Sequence, residues 1–192
     1  MIKRDKTEFG WVRQETKPFK PGQHQYRPLT ENEEKQRQLM MTAALDMAKR
    51  IHLVNEEAAY LTPEQLDIAW VKVAPAPEND LEMLFGSYLF GFPLGEYLVQ
   101  TNGMEWCMFT DDEGSTLAVH HPEADVTAFP IASVRKRLMP NDPPFFKAVV
   151  STVVKQISTC LTARKEYEEE QAKRAAAKER KRQQKAGNPA AN

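Results

Sequence analysis

The stretch from Gly91 to Leu138 constrains the possible folds of this chain more than any other segment. It predicts a helix that ends at Gly103, three short strands after it, and a second helix that begins at Pro130. Short strands joined by tight turns pair with their neighbours in the antiparallel sense. The chain is therefore expected to have an α+β fold, in which one face of a small three-stranded antiparallel meander packs against helices.

Alternation and turn residues identify the three strands. Around Trp106 and Met108 the side chains alternate between the two faces of a strand. The sequence TDDEG that follows is typical of a tight turn. The predicted strands are residues 104–110, 115–120 and 125–129.

Helices are predicted before the meander from capping signals and from apolar residues at helical spacing. Thr30 and Glu33 form a capping box at the start of the first helix, and Thr62 with Gln65 marks the second. A third helix is expected from about Asp80. Its apolar side chains are expected to point inward: Leu81, Leu84, Phe85, Tyr88 and Leu89.

A long final helix is expected after the sequence PNDPP, with Asp142 as its N-cap and Pro143 as its first residue. Its apolar stripe runs from Phe146 to Leu161, and helix-forming residues continue to about Lys185. The last part shows no heptad pattern, so no coiled coil is expected.

Three residues interrupt the third helix. Gly91, Pro93 and Gly95 lie within five positions of one another, and proline removes a backbone donor and clashes with the preceding turn. The sequence therefore predicts a kink, or a break into two helices, at this point. No phosphate-binding loop is expected. The glycines are not followed by the Gly-Lys-Ser/Thr of a Walker-type loop, and no strand precedes them, as a dinucleotide-binding loop requires.

Charge is distributed unevenly along the chain. The net charge of −1 combines an excess of four positive charges in residues 1–30 with the same excess in residues 164–192. The 133 residues between them hold ten basic and nineteen acidic side chains. An acidic body between basic tails is suited to a partner of opposite charge.

The same contrast predicts the domain organisation. Residues 1–29 are expected to be an extended arm, whose Trp11 and Phe19 either pack on the core or form a docking motif. Residues 30–163 are expected to be a single α+β domain. Residues 164–192 are expected to be a charged tail, helical or disordered.

Several classes of protein are excluded by composition. The first residues contain no apolar run of a signal peptide, and no segment approaches the roughly 18 apolar residues of a membrane span. Cys107 and Cys160 are too few for a disulfide framework or a zinc cluster. A cytoplasmic protein with no membrane partner, metal or cofactor is expected.

Four short motifs fill the central stretch: GFPLGEYL at 91–98, GMEW at 103–106, TDDEG at 110–114 and FPIASVRKR at 129–137. Through these motifs, over about residues 80–157, the chain resembles the bacterial domain-of-unknown-function family 3806. The resemblance implies the α+β shape. It implies no reaction, because the family has no assigned activity.

Candidate site residues lie near the helix-to-strand junction. Glu96 and Glu105 could form an acid–base pair if the fold brings them together. The alternative is that Glu96 bonds a backbone amide or pairs with a cation of the Arg135–Lys136–Arg137 triplet. That triplet either forms an anion-binding patch with Ser133 or is neutralised within the molecule.

Other reactive residue types have simpler interpretations. Asp111, Asp112 and Glu113 lack the spacing of a calcium loop, and are expected to form the solvated tip of a hairpin. His120 and His121 are neighbours on a strand, so their side chains should point to opposite faces. Cys107 is expected to be a small core residue. No catalytic residues are assigned.

Three functions are expected from these observations, in order of preference. The first is a non-enzymatic protein-binding module, of immunity or adaptor type, whose acidic face covers a basic partner. The second is a small-ligand sensor or enzyme with a pocket between the 91–103 helix and the strands, using Glu96, Trp106 and Arg135. The third is association with RNA or the ribosome through residues 164–185.

Overall fold

The computed structural model describes residues 24–73, 76–138 and 143–186. The features predicted at Trp11, Phe19 and Asp142 lie outside these residues. Within them the chain forms five helices and four strands. In chain order these are β1 (Gln25–Pro28), α1 (Glu31–Arg50), α2 (Pro63–Val73), α3 (Asp80–Asn102), β2 (Glu105–Thr110), β3 (Ser115–His121), β4 (Val126–Ala128), α4 (Pro130–Arg135) and α5 (Phe146–Ala186).

The α+β class and the long C-terminal helix are confirmed, but the sheet has one strand more than predicted. Its order is β1-β2-β3-β4, and every neighbouring pair is antiparallel. The extra strand lies at the end of the segment predicted to be an extended arm, where Tyr26 is opposite Phe109. Its four residues are too few to show alternation, and Pro28 is tolerated because β1 is an edge strand.

Of the two alternatives predicted for the third helix, a kink or a break into two helices, the break is wrong, because α3 is one element of 23 residues that includes Pro93. Every residue from Phe90 to Glu96 is buried. A β-carbon at Gly91 would lie 2.7 Å from the α-carbon of Ile131, so α4 packs directly on the α3 backbone. Burial of this segment on all sides offsets the hydrogen bond that proline removes.

Side chains fix the starts of the helices. The predicted capping box of α1 is confirmed, with Thr30 N donating to Glu33 Oε2 at 2.8 Å. The last helix begins three residues later than expected. Its cap comes from α2, where Asp67 Oδ1 accepts from Phe146 N at 2.9 Å. This cap links two residues 79 positions apart, which no local sequence pattern could show.

The core lies between the helices and one face of the sheet. Trp70 of α2 makes edge-to-face contacts with Phe90 of α3 and with Phe145 and Phe146 at the start of α5. From Thr162 onward every described side chain of α5 is exposed. No helix within the described ranges is long and apolar enough to cross a membrane.

Candidate functional site

Glu96 lies at the centre of a buried polar cluster between α1, α3 and β2. The residue is 9% exposed. Arg37 of α1 donates from Nη1 to Glu96 Oε2. Gln100 Nε2 donates to the other carboxylate oxygen at 2.8 Å, and Trp106 Nε1 donates to Oε2 at 3.3 Å. The carboxylate therefore accepts from three donors, one of which is the cation of Arg37.

The guanidinium of Arg37 lies between two carboxylates. Its Nε and Nη2 atoms donate to the two oxygens of Glu34, at 2.9 and 2.6 Å, in a bidentate pair. The bonds to Glu34, with the charge of Glu96, hold the pKa of Arg37 above its usual value. The same bonds lower the pKa of Glu34. Arg37 is fixed on both edges of its guanidinium plane.

The prediction that Glu96 pairs with Arg135, Lys136 or Arg137 is wrong. The cation comes instead from Arg37, 59 residues earlier in the chain. Helical spacing contained a signal for this contact that the sequence analysis missed. Arg37 belongs to a series of inward positions on α1, spaced three or four residues apart, that includes one buried carboxylate and three buried apolar residues: Glu33, Met41, Ala44 and Ala48.

The predicted acid–base pair of Glu96 and Glu105 is also wrong. Successive strand residues point to opposite faces of a sheet. Trp106 faces α3, where it contacts Glu96, so Glu105 points to the other face. There it is exposed and opposite His120 of β3.

The basic triplet divides into residues with different environments. Arg137 Nη1 donates to the backbone oxygen of Ser133 at 2.9 Å, and its guanidinium lies 4.7 Å from the ring centre of Phe145. Arg135 and Lys136 are exposed, and neither forms an ion pair with another described residue. Of the three residues predicted to line a pocket, Glu96 and Trp106 are therefore in contact, whereas Arg135 is not part of their cluster.

The acidic turn is a hairpin tip in which one carboxylate has a structural role. Asp111 Oδ1 accepts from the backbone N of Glu113 at 2.9 Å and of Gly114 at 3.2 Å. Asp112 and Glu113 are exposed, with no ion pair in the part of the chain that the structure describes. Their two charges remain available to a basic partner.

The two adjacent histidines point to opposite faces of the sheet, as predicted. The ring of His120 stacks on Tyr26 at 4.1 Å, and both residues hydrogen-bond to Thr127 Oγ1. Burial lowers the pKa of His120. On the other face, His121 Nδ1 accepts from Ala124 N at 3.1 Å. No group of three potential ligands that could hold a metal occurs among the described residues.

Cys107 is buried, in agreement with the prediction of a core residue. Burial, with a smaller contribution from the charge of Glu105, raises the pKa of its thiol to about 11. A thiol with this pKa is protonated at neutral pH and is a weak nucleophile.

An open groove of about 620 Å³ runs along α5 beside the start of α2 and the C-terminal third of α3. Pro63, Tyr97 and Val154 provide apolar surface, and Lys147 and Lys155 provide charge. Lys147 Nζ is 3.5 Å from Glu64 Oε1, and both side chains are more than half exposed. The groove is separate from the place beside Glu96 where a pocket was predicted, because Glu96 is not among its lining residues and is bonded to Arg37.

Four large apolar side chains are exposed on two neighbouring helices. Ile68 and Val71 lie one turn apart on α2, and Leu81 and Phe85 lie one turn apart on α3. Their exposed fractions are between 46% and 72%. The two helices pack against each other. We call these four residues the α2–α3 surface; the prediction that Leu81 and Phe85 point inward is wrong.

Acidic residues outnumber basic ones around the α2–α3 surface. Glu64 precedes Ile68 by one helical turn, and three acidic residues lie at the start of α3: Glu78, Asp80 and Glu82. All four are exposed, and the nearby cations are Lys72 on α2 and Lys147 on α5, which lies 3.5 Å from Glu64. This rim gives the apolar residues an acidic border.

The exposed half of α5 has a second pattern of charge. Residues 166–170 contain four glutamates, whereas residues 173–185 contain seven lysines and arginines and one glutamate. Pairs one turn apart join Arg164 with Glu168 at 2.9 Å and Arg174 with Glu170 at 2.5 Å. Such pairs stabilise a solvated helix by a few tenths of a kcal/mol each.

Comparison with known proteins identifies the central region. Residues 86–149, a third of the chain, match the family described as "Domain of unknown function (DUF3806)". This match confirms the resemblance predicted from the motifs. The matched region contains Glu96, Gln100 and Trp106, but it does not contain Arg37.

The other comparisons add no function. None of the curated proteins matches the chain. Among solved structures, a protein from Bacteroides thetaiotaomicron VPI-5482 is similar, with 13% sequence identity and a TM-score of 0.47. The similarity covers 78% of this chain and 50% of that protein, so the chain spans about half of that protein's length.

Proposed function

We propose that this protein is a non-enzymatic binding module that recognises another protein through the α2–α3 surface. The observation that carries the proposal is the exposure of four large apolar side chains on two helices that pack together. Scattered exposed apolar residues are ordinary, but a group of them with a polar border is typical of an interaction site.

The acidic rim of this surface specifies the partner further. A partner with apolar side chains flanked by lysine or arginine would complement both the surface and its rim. The excess of nine negative charges between residues 31 and 163 would accelerate association with such a partner. An immunity-type or adaptor protein whose acidic face covers a basic partner fits this description.

The environments of the residues suited to catalysis favour binding over an enzymatic role. Glu96 is held by Arg37, Gln100 and Trp106, whereas Glu105 points to the opposite face of the sheet. Cys107 has a raised pKa and is buried.

Site-specific photo-crosslinking in the native cell tests the proposed surface. A photoreactive amino acid at Val71 and, separately, at Leu81 should yield an adduct with the same partner protein. Leu39 on α1 is a matched control, because it is an exposed leucine with similar accessibility. The same adduct from position 39, or different adducts from positions 71 and 81, would contradict a common surface.

Measuring the affinity of variants for that partner then separates the apolar and the charged contributions to binding. Val71→Ser with Phe85→Ser should weaken binding at least tenfold, whereas Leu39→Ser should not. Glu64→Gln with Asp80→Asn should slow association at low salt. Asp112→Asn with Glu113→Gln makes the same change of charge at the hairpin tip. An equal effect from this second pair would place the charged contact at the hairpin tip instead.

A cytoplasmic location belongs to the same proposal. Cys107 and Cys160 are both free, as expected in a reducing compartment. Fractionation of the native cell tests the location, with recovery in the periplasmic or membrane fraction as the contrary result.

The exposed basic end of α5 favours RNA as a second candidate partner. Lys173, Arg174, Lys178 and Arg180 are exposed on a helix that leaves the body of the protein. RNA binding there should weaken steeply with salt. Lys173→Glu with Arg174→Glu should abolish it, whereas Arg135→Glu with Lys136→Glu should not. Binding that is unchanged by salt would exclude this candidate.

A further inference from the structure

The cluster around Glu96 has the form of a binding site that already contains its ligand. Its fixed walls are Glu96, Gln100 and Trp106, which we call the Glu96 recess. Gln100 and Trp106 both donate to Glu96, one to each carboxylate oxygen. These two donors hold the carboxylate in one orientation, whichever cation it faces.

The cation in the recess comes from a different part of the chain. The three walls belong to the region that matches the family, whereas Arg37 lies on α1, outside that region. Arg37 is also held by Glu34, which is three residues earlier on the same helix and pairs with it bidentately. Glu34 thus orients the guanidinium of Arg37 from the same helix, and the two side chains face the Glu96 recess together.

We propose that the Glu96 recess is an arginine-binding site that the chain's own α1 helix occupies with Arg37. The recess should therefore bind a separate guanidinium compound once the Arg37 side chain is removed. The inference goes beyond the proposed function, because it concerns a site different from the α2–α3 surface.

The geometry of the cluster favours guanidinium over ammonium. Arg37 contacts two carboxylates at once, with Nη1 toward Glu96 and with Nε and Nη2 toward Glu34. A planar group with donors on two edges can span both carboxylates, but a point-like ammonium cannot match that arrangement. The side chains of Arg37 and Glu96 are only 16% and 11% exposed, so solvent competes weakly for these bonds.

Chemical rescue tests the proposal. The Arg37→Ala variant is titrated with methylguanidinium up to about 50 mM, well below denaturing concentrations. Its melting temperature should rise continuously with the concentration, by about 4 °C at the highest concentration. Methylammonium at the same concentration should have no such effect, and neither compound should stabilise the natural sequence. The indole NMR signal of Trp106 should move over the same concentration range.

Two further variants distinguish a built recess from simple charge compensation. Arg37→Ala with Glu96→Gln should lose the response to methylguanidinium. Arg27→Ala is the control. It removes another arginine that pairs with a buried glutamate, Glu33, and this pair lies outside the Glu96 recess. An equal rise for Arg27→Ala, or for methylammonium, would overturn the proposal.

The test remains decisive if Arg37→Ala does not fold alone. The readout then becomes the recovery of helical circular dichroism as methylguanidinium is added. Recovery with methylguanidinium and not with methylammonium supports the site. No recovery with either compound overturns it.

Discussion

The indole of Trp106 lies directly against the backbone of Gly95, so that a β-carbon at position 95 would be 2.2 Å from the ring. The centre of the same ring lies 5.5 Å from the centre of the Phe92 ring, and its Nε1 donates to Glu96 Oε2. The glycine and glutamate of one motif and the tryptophan of another therefore form one packing unit. This contact brings the GFPLGEYL and GMEW motifs together in the fold.

Gly95→Ala should destabilise the protein by about 2 kcal/mol, although alanine is the better helix former by about 1 kcal/mol. The added methyl group must displace the Trp106 ring from its place between α3 and the sheet. Urea unfolding measures the loss. The same substitution in a Trp106→Leu background should cost much less. Equal losses in both backgrounds would mean that the ring is not the obstacle.

Arg37→Met should cost about 3 kcal/mol, because it leaves the buried carboxylate of Glu96 without its cation. Adding Glu96→Gln should recover part of this loss, since the two residues act as a pair. Lys35→Met is the matched control, because Lys35 and Glu31 form an exposed pair on the same helix. It should change the free energy of unfolding by no more than about 0.5 kcal/mol. Strictly additive losses at Arg37 and Glu96 would contradict the pairing.

The pair of Arg27 and Glu33 should contribute to the acid sensitivity of the fold. The bond from Arg27 lowers the pKa of Glu33 below its ordinary value of 4.5. A lowered pKa gives stability that is present above pH 4.5 and is lost as the pH falls through the folded value. The stability difference between the natural sequence and Glu33→Gln should therefore shrink below pH 4.5. A difference that stays constant down to pH 3, in urea unfolding at each pH, would be the contrary result.

His120 should make the fold sensitive to pH in a higher range. Burial lowers its pKa from 6.5, so the folded state favours the neutral ring. Stability from this group is present above pH 6.5 and decreases as the pH falls toward the folded value. The natural sequence should lose stability from pH 7 to pH 5 relative to His120→Phe, which keeps an aromatic ring beside Tyr26. Parallel pH profiles for the two proteins would contradict this.

Removal of the exposed half of α5 should leave the stability of the body unchanged. The buried face of this helix ends at Ile157, and the side chains from Thr162 onward are exposed. A chain that ends at Lys165 keeps the bond from Arg164 to the Glu123 backbone oxygen. Its melting temperature should stay within about 2 °C of that of the full chain, with less helical signal per molecule. A larger fall would mean that the removed helix packs on the body.

Local patterns in the sequence were sufficient for the features that depend on neighbouring residues. The capping boxes at Thr30 and Thr62 are both present, because each involves residues three positions apart. The end of α3 at Gly103 is also local, and this residue has the left-handed backbone conformation. The central strands were predictable because alternation is visible over six or seven residues.

Contacts between distant residues explain what the sequence did not show. The Asp67 cap of α5 and the Arg37 partner of Glu96 both join residues more than 50 positions apart. Apolar residues occur all around α3, so their spacing could not show that Leu81 and Phe85 face solvent while Phe90 is buried. The break at Pro93 was predicted from the preference of an isolated proline against the interior of a helix, and the surrounding packing overrides that preference.

The length of α5 separates two parts of the molecule that could each hold a partner. Asp67 ties the first residue of this helix to α2, and the helix continues for 41 residues, or about 60 Å. That distance exceeds the reach of a side chain and several Debye lengths at physiological salt. Steric contact and charge at α2 therefore do not extend to the far end of α5. If both proposed partners bind, their binding free energies are expected to add, and the protein would then join the two partners.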